Sequence, residues 1–255
     1  MSKFFTLFLF LISQNLWGIT ILIDPGHGGE EDGATAMTVT ETPQRVIKEK
    51  DLSLEFSKKI FDLLQKKNYS VFLTRSIDRT VTLPERAAIA EKTKADLFIS
   101  VHINSSPEPG AVGFETYYLD NHDDVAIKKV ERTENIQNSS DNVVVQQILI
   151  DLVVEQTVQT SKPLALNIHS ELKESIGKKY GIPSRGIKPG LFYVLALSKR
   201  PGVLLEVGFI STQKERARMM NPKFQDDYAK AVVSGIENFI NKQKKRLAKR
   251  ALKKS

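Results

Sequence analysis

Two histidines stand where apolar runs stop. "ILIDPGHGGEEDGA" carries His27 just past Ile21–Ile23 and inside a glycine-rich turn, and "DLFISVHINSS" carries His102 at the end of a second such run. A single imidazole in such a place more often serves structure, its nitrogens satisfied by neighbours. Two at equivalent strand ends suit a shared task, because in α/β sheets ligands gather outside the carboxyl ends of the strands. Catalytic zinc commonly takes three protein ligands and keeps an open position, and two His with one carboxylate is a familiar set. "PGVLLEVGFIS" adds Glu206, a carboxylate inside an apolar run, which is costly unless it is paired or used. In a zinc hydrolase it is placed to be the general base, taking a proton from water and passing it to the leaving amine. Glu49, in "VIKEKDLSLEF", opens the helix after the first loop. On spacing alone it reads as an ordinary first-turn acid favoured by the helix dipole.

Those side chains need strands that end at one edge. Short apolar stretches rich in β-branched and aromatic residues predict strands at Thr20–Asp24, Tyr69–Thr74, Asp96–Ile103, Gly113–Leu119, Leu191–Leu197 and Val203–Val207. Between them, Lys48–Lys67 places Leu52, Phe56, Ile60 and Leu63 on one helical stripe, and a last helix is expected from Pro222 to about Ile240. Strands alternating with helices imply a three-layer α/β/α fold with a mostly parallel or mixed central sheet in a single catalytic domain. The stretch from Asn121 to Tyr180 fits that alternation poorly and reads as a helical insertion of two or three helices over one side of the sheet.

Composition narrows the chemistry. The 255 residues contain no cysteine, so thiol catalysis, disulfides and a lipid-anchored cysteine are excluded, and a metal site must use His, Asp or Glu. Lys3, the apolar run Phe4–Ile12 and Gly18 have the layout of a signal peptide over residues 1–18, and the run is too short to span a bilayer. Export to the periplasm or cell envelope is therefore expected. The net charge of +7 is concentrated in the basic segment 242–255, "KQKKRLAKRALKKS", which carries eight Lys or Arg and no acid. The remainder, 19–241, is slightly acidic, which argues against nucleic acid as a partner and leaves the basic tail a weak contact with anionic membrane or wall.

Taken together, "ILIDPGHGGEEDGA", "KEKDLSLEF", "VFLTRSIDRTVTLPERAAIAEKTKADLFISVHINSS", "GFETYYL" and "RGIKPGLFYVLALSKRPGVLLEVGFISTQKE" resemble the zinc-dependent N-acetylmuramoyl-L-alanine amidases of the bacterial cell wall, in that family's order. The resemblance implies that His27, Glu49 and His102 hold one Zn2+ per chain and that Glu206 is the catalytic glutamate. It also implies peptidoglycan as substrate, cut at the amide between N-acetylmuramic acid and L-alanine in wall remodelling or septum splitting. The chain departs from the pattern at Glu31, where Asp is usual, at Glu91, where Asn is frequent, and in a longer loop from Gly28 to Lys48. That loop also contains Glu41, but "EKD" followed by the apolar helix stripe favours Glu49. An activator or division-site protein is compatible with the resemblance, as is autoinhibition by the insertion; a monomer is expected.

Lesser expectations concern the surroundings. Arg75, Asp78 and Arg86 read as a structural ion-pair group beneath the site. Asn104 follows a ligand strand and is a candidate to meet substrate, and Glu115 is a candidate to hydrogen-bond a ligand imidazole from behind. His122 and His169 sit in helical surroundings and are not expected to be ligands. The rival readings are a non-catalytic peptidoglycan-binding relative and a zinc peptidase or deacetylase acting on wall fragments.

Overall fold

The computed structural model describes residues 18–38, 43–108, 110–120 and 143–253. The leader expected over 1–18 lies outside these apart from Gly18, as do Glu41, His122 and the first part of the insertion. β1 (Thr20–Pro25) is followed by a short antiparallel pair, β2 (Thr35–Met37) and β3 (Val46–Lys48), which occupies the long loop and runs straight into α1 (Glu49–Lys66). Then come β4 (Ser70–Leu73), α2 (Leu83–Lys92), β5 (Leu97–Asn104) and β6 (Phe114–Leu119). α3 (Val143–Leu172) continues through a π-helical turn at Lys173–Gly177 into α4 (Lys178–Tyr180). β7 (Ser184–Gly190), α5 (Tyr193–Ser198), β8 (Gly202–Phe209), α6 (Gln213–Met219) and α7 (Pro222–Leu252) complete the fold.

The main sheet has the order β4-β1-β5-β8-β6-β7. β4, β1, β5 and β8 are mutually parallel, β6 runs antiparallel to β8, and β7 is parallel to β6. Alternation along each central strand sends its side chains to two separate cores. Ile21, Ile23, Ile99, Val101, Val203 and Leu205 face the larger one, closed by α1, α7 and the second half of α3. Leu22, Phe98, Tyr117 and Leu204 face the smaller one, closed by α2, α5 and the first half of α3. This is the expected three-layer arrangement around a mixed sheet.

Two expectations are corrected. The strand expected at Leu191–Leu197 is instead the short helix α5, and the strand lies just upstream in "SRGIKPG". The first seven residues of "LFYVLALS" are apolar or aromatic, and periodicity alone cannot tell a short buried helix from a buried strand. β7 is an edge strand, where Pro189 is tolerated because no neighbour requires its missing N–H. In the insertion, whose residues 121–142 lie outside the described ones, Val143–Leu172 forms one long helix that accommodates Pro163, the carbonyl of Pro163 accepting from Asn167 Nδ2 at 2.7 Å. The second correction is that the last helix does not stop near Ile240 but continues to Leu252. At Gly235 it crosses α3 so closely that a Cβ would sit 2.4 Å from the Cα of Ile168, which only glycine permits.

Candidate active site

The loop after β1 is held by side chains that grip its backbone. Asp24, fully buried at the end of β1, accepts from Thr74 Oγ1 at 2.6 Å and Ser100 Oγ at 2.8 Å and pairs with Arg86. Arg86 also donates to the carbonyls of Pro25 and His27, both at 2.8 Å. Its helix is fixed by a capping box in which Thr82 and Glu85 satisfy each other's backbone amides. Arg75, fully buried, donates to the carbonyls of Gly26 and Lys50, both at 2.8 Å, and burial pushes its guanidinium down to about 10. The expected ion-pair group is thus mostly a carbonyl clamp: Arg86 finds its acid in Asp24, while Asp78 accepts from Gly29 N at 2.7 Å and pairs with Lys50 at 3.0 Å. Held this way, His27 adopts φ of 57°, a left-handed conformation uncommon outside glycine and typical of functional turns.

The second ligand element meets the same loop. Glu49 N donates to Ala34 O at 2.8 Å, and Ala34 N donates back to Glu49 Oε2 at 2.8 Å. Gly33, at φ of 67°, lets the loop pass: a Cβ there would lie 2.6 Å from Glu49 Oε2 and 2.7 Å from the His27 ring. Glu49 Oε1 accepts from Ile103 N at 2.9 Å and lies 3.2 Å from both His27 Nε2 and His102 Nδ1. The two imidazoles stand edge to face with centroids 5.0 Å apart. Burial works to raise the carboxyl pKa of Glu49, but His27, then His102, outweigh it and hold the group well below the usual carboxylate range.

The donor atoms of His27, Glu49 and His102 lie within 4.8 Å of one another. Zinc bonds of roughly 2.1 Å in a tetrahedron give ligand–ligand edges of about 3.4 Å, close to the separations seen here. Two imidazoles and one carboxylate are the donor chemistry of a catalytic zinc site, so the residues fit the ion.

Glu206 joins them through the sheet register. It is the partner of His102 on β5 and of Glu115 on β6, so the three form one row on one face, on strands about 4.8 Å apart. Glu206 is 5 % exposed. Glu115, fully buried, does not hydrogen-bond an imidazole as expected. Its carboxylate is taken up by Tyr117 Oη, Arg185 Nε and Lys188 Nζ, the last at 2.9 Å. Burial raises its pKa, but these three donors outweigh burial and leave it lowered; the same burial and the nearby carboxylate push the Tyr117 phenol far up. Asn104 ends β5 at this edge, half-buried, its carbonyl accepting from Ile210 N at 2.8 Å. His169 is far from ligand duty: its nitrogens meet Thr116 Oγ1 at 3.0 Å and Ser184 Oγ at 2.6 Å, and burial lowers it to about 4.

Three positioning groups escaped the sequence reading. Arg185 and Lys188 lie in "RGIKPG", where two cations three residues apart were the available signal. Glu215, buried on α6, accepts from Gly113 N at 2.9 Å and Phe209 N at 2.8 Å and so ties the start of β6 to the end of β8; burial raises its pKa.

Comparison with known proteins agrees with this geometry. Residues 21–238 match the family described as N-acetylmuramoyl-L-alanine amidase. The chain is 30 % identical over 229 residues to the Bacillus subtilis protein YqiI, covering 90 % of this chain and 88 % of that one. It is 28 % identical to the N-acetylmuramoyl-L-alanine amidase AmiC of Escherichia coli over 87 % of its own length, and spans 53 % of AmiC. The crystal structure of an N-acetylmuramoyl-L-alanine amidase from Clostridium difficile 630 superposes with a TM-score of 0.65 at 29 % identity, covering 88 % of this chain and 97 % of that one.

Proposed function

Because the chain belongs to the N-acetylmuramoyl-L-alanine amidase family, we propose that it hydrolyses the amide joining the lactyl group of N-acetylmuramic acid to L-alanine in peptidoglycan, using one zinc ion held by His27, Glu49 and His102. The observation that carries the proposal is the convergence of these three donors beside Glu206 at one edge of the sheet. When bound, the ion supplies Lewis acidity toward the amide carbonyl and toward water.

The protein's own groups do the rest. Glu206 takes a proton from the attacking water and returns it to the leaving α-amine, so that the product is a free L-alanine N-terminus and a free lactyl carboxylate. The burial of Glu206 and its place one strand from His102 support that role. The backbone amides of Ile103 and Ala34 orient the Glu49 carboxylate, and the arginine clamp fixes the turn carrying His27. Arg185 and Lys188 compensate the charge of Glu115, so the acid next to Glu206 does not burden it with an uncompensated neighbour. Asn104, at the open end of β5, is placed to meet substrate. Export to the envelope belongs to the same reading, supported by the Phe4–Ile12 leader pattern and by a substrate that lies outside the cytoplasm.

Digesting purified sacculi and identifying the newly exposed group tests the proposal. A free L-alanine amine that disappears with chelator and returns with zinc is expected. A free glucosamine amine would make the protein a deacetylase, a cut within the stem peptide would make it a peptidase, and no product would leave a binding protein.

A further inference from the structure

Helix α7 outruns the body it packs on. Its 31 residues make a rod of about 46 Å, and buried residues along it end with Phe239 and Ile240. Lys242 still reaches the body, its Nζ 2.7 Å from Asn167 Oδ1, and Gln243 is half-buried; from Lys244 to Lys253 every residue is exposed. Along this arm the helical stripe that buries Ile236 and Ile240 continues as Leu247 and Ala251, with Ala248 and then Leu252 on one flank, Leu252 at the border of the cationic face. Leu247 is 63 % and Leu252 77 % exposed, the highest values among the exposed large apolar side chains. On the other side Lys242, Lys245, Arg246, Lys249, Arg250 and Lys253 line one continuous face. Lys244 falls on the apolar stripe, where a lysine's four-carbon stem can lie flat with its ammonium reaching outward.

A helix with an apolar stripe opposite a dense cationic face suits the boundary of an anionic bilayer. Among the described residues no helix is long and apolar enough to cross a membrane, so such an arm lies on the surface. An acidic polymer would satisfy the cations but leave both leucines in water, and pairing with a second copy of the arm would bring like charges together. The direction of the arm gives the contact a consequence. α1 and α7 advance together, through Glu55–Gln225 at 2.7 Å, Lys59–Asp226 at 2.5 Å and Lys67–Glu237 at 3.0 Å. Glu49 begins α1 at the metal edge, so the arm departs from the opposite end, more than about 25 Å away by helix rise. We infer that residues 241–253 are an interfacial helix for an anionic lipid surface that holds the protein with its metal-binding edge turned away from the lipid.

Co-sedimentation of the full chain with vesicles tests this, independently of any hydrolysis. The protein is expected to bind phosphatidylglycerol-containing vesicles and not pure phosphatidylcholine. Substituting Leu247→Gln with Leu252→Gln, or Lys245, Arg246, Lys249 and Arg250 each to Gln, is expected to weaken binding by at least about tenfold, without moving the melting midpoint. A Leu252→Trp variant is expected to show blue-shifted emission on anionic vesicles alone. Parent-like vesicle binding by the leucine variant, equal binding of both proteins to polyglutamate with no emission shift, or a concentration-dependent dimer lost in the leucine variant would each overturn the inference, the first two in favour of charge alone and the last in favour of a second copy.

Discussion

Two carboxylates, both essentially buried, stand in different corners of the same sheet edge, and the protein treats them in opposite ways. Glu115 is met by two cations and a phenol, so its charge is balanced within the protein. Glu49 is met by two backbone amides, which orient the anion, and by two imidazoles, whose ring nitrogens can bind a metal. A buried charge that is not compensated is expensive. Under the proposed function, the corner furnished with imidazoles is the one whose balance a metal ion would complete, and the corner furnished with cations is framework.

The most damaging way to break that contrast is to remove an imidazole. His102→Ala and His27→Ala are expected to lose both bound zinc and activity, whereas His169→Ala keeps its zinc; atomic absorption with a turnover assay reads both. Next, Glu206→Gln should retain parent zinc stoichiometry while turnover falls by a factor of about 10² or more, separating proton transfer from ligation. Loss of zinc in that variant would move Glu206 into the ligand set.

The other corner is sharpened by pH. His169, lowered to about 4 beneath β6 and β7, is neutral in the folded state and has an ordinary pKa near 6.5 when unfolded. Between these values the unfolded chain binds more protons, so the stability it contributes is complete above about 6.5 and falls by up to about 3 kcal/mol as the pH drops to about 4. Denaturant melts across that window should show the loss, and His169→Gln should flatten it. Smaller still, Glu115→Gln should keep zinc but lower stability by about 1–3 kcal/mol, since Arg185 and Lys188 are partly exposed and can rehydrate. Chelation should lower the melting midpoint of this variant as it does the parent's, and should leave Glu49→Gln unmoved. At the bottom of the scale, the surface pair of Glu91 with Arg200 is expected to give no measurable change on Glu91→Ala, by calorimetry.

The metal corner was legible in the sequence because strand ends announce themselves. His27, His102 and Glu206 each interrupt an apolar run, and the parallel sheet then aligns those interruptions. Glu49 was less so, because a first-turn acid looks the same whether it serves the helix or a metal; the β2–β3 pair that aims it depends on contacts no local pattern encodes. The partners of Glu115 were hidden for a related reason. The two cations among them come from β7, whose glycines and proline give no strand pattern, while the apolar segment after it took the strand's place in the sequence reading. The reach of α7 was missed because its last turns have no buried residues to mark a helix by, only good helix formers.

The strand order carries a consequence for how the protein is born. His27, Glu49 and His102 all lie on or beside β4, β1 and β5, which are complete once residue 104 has emerged. β8 sits next to β5 in the sheet yet comes about a hundred residues later in the chain, a non-local pairing of the kind that slows folding. The three proposed metal donors are thus all present in the first 104 residues, whereas the proposed proton carrier Glu206 comes only with β8, the last strand of the sheet in chain order.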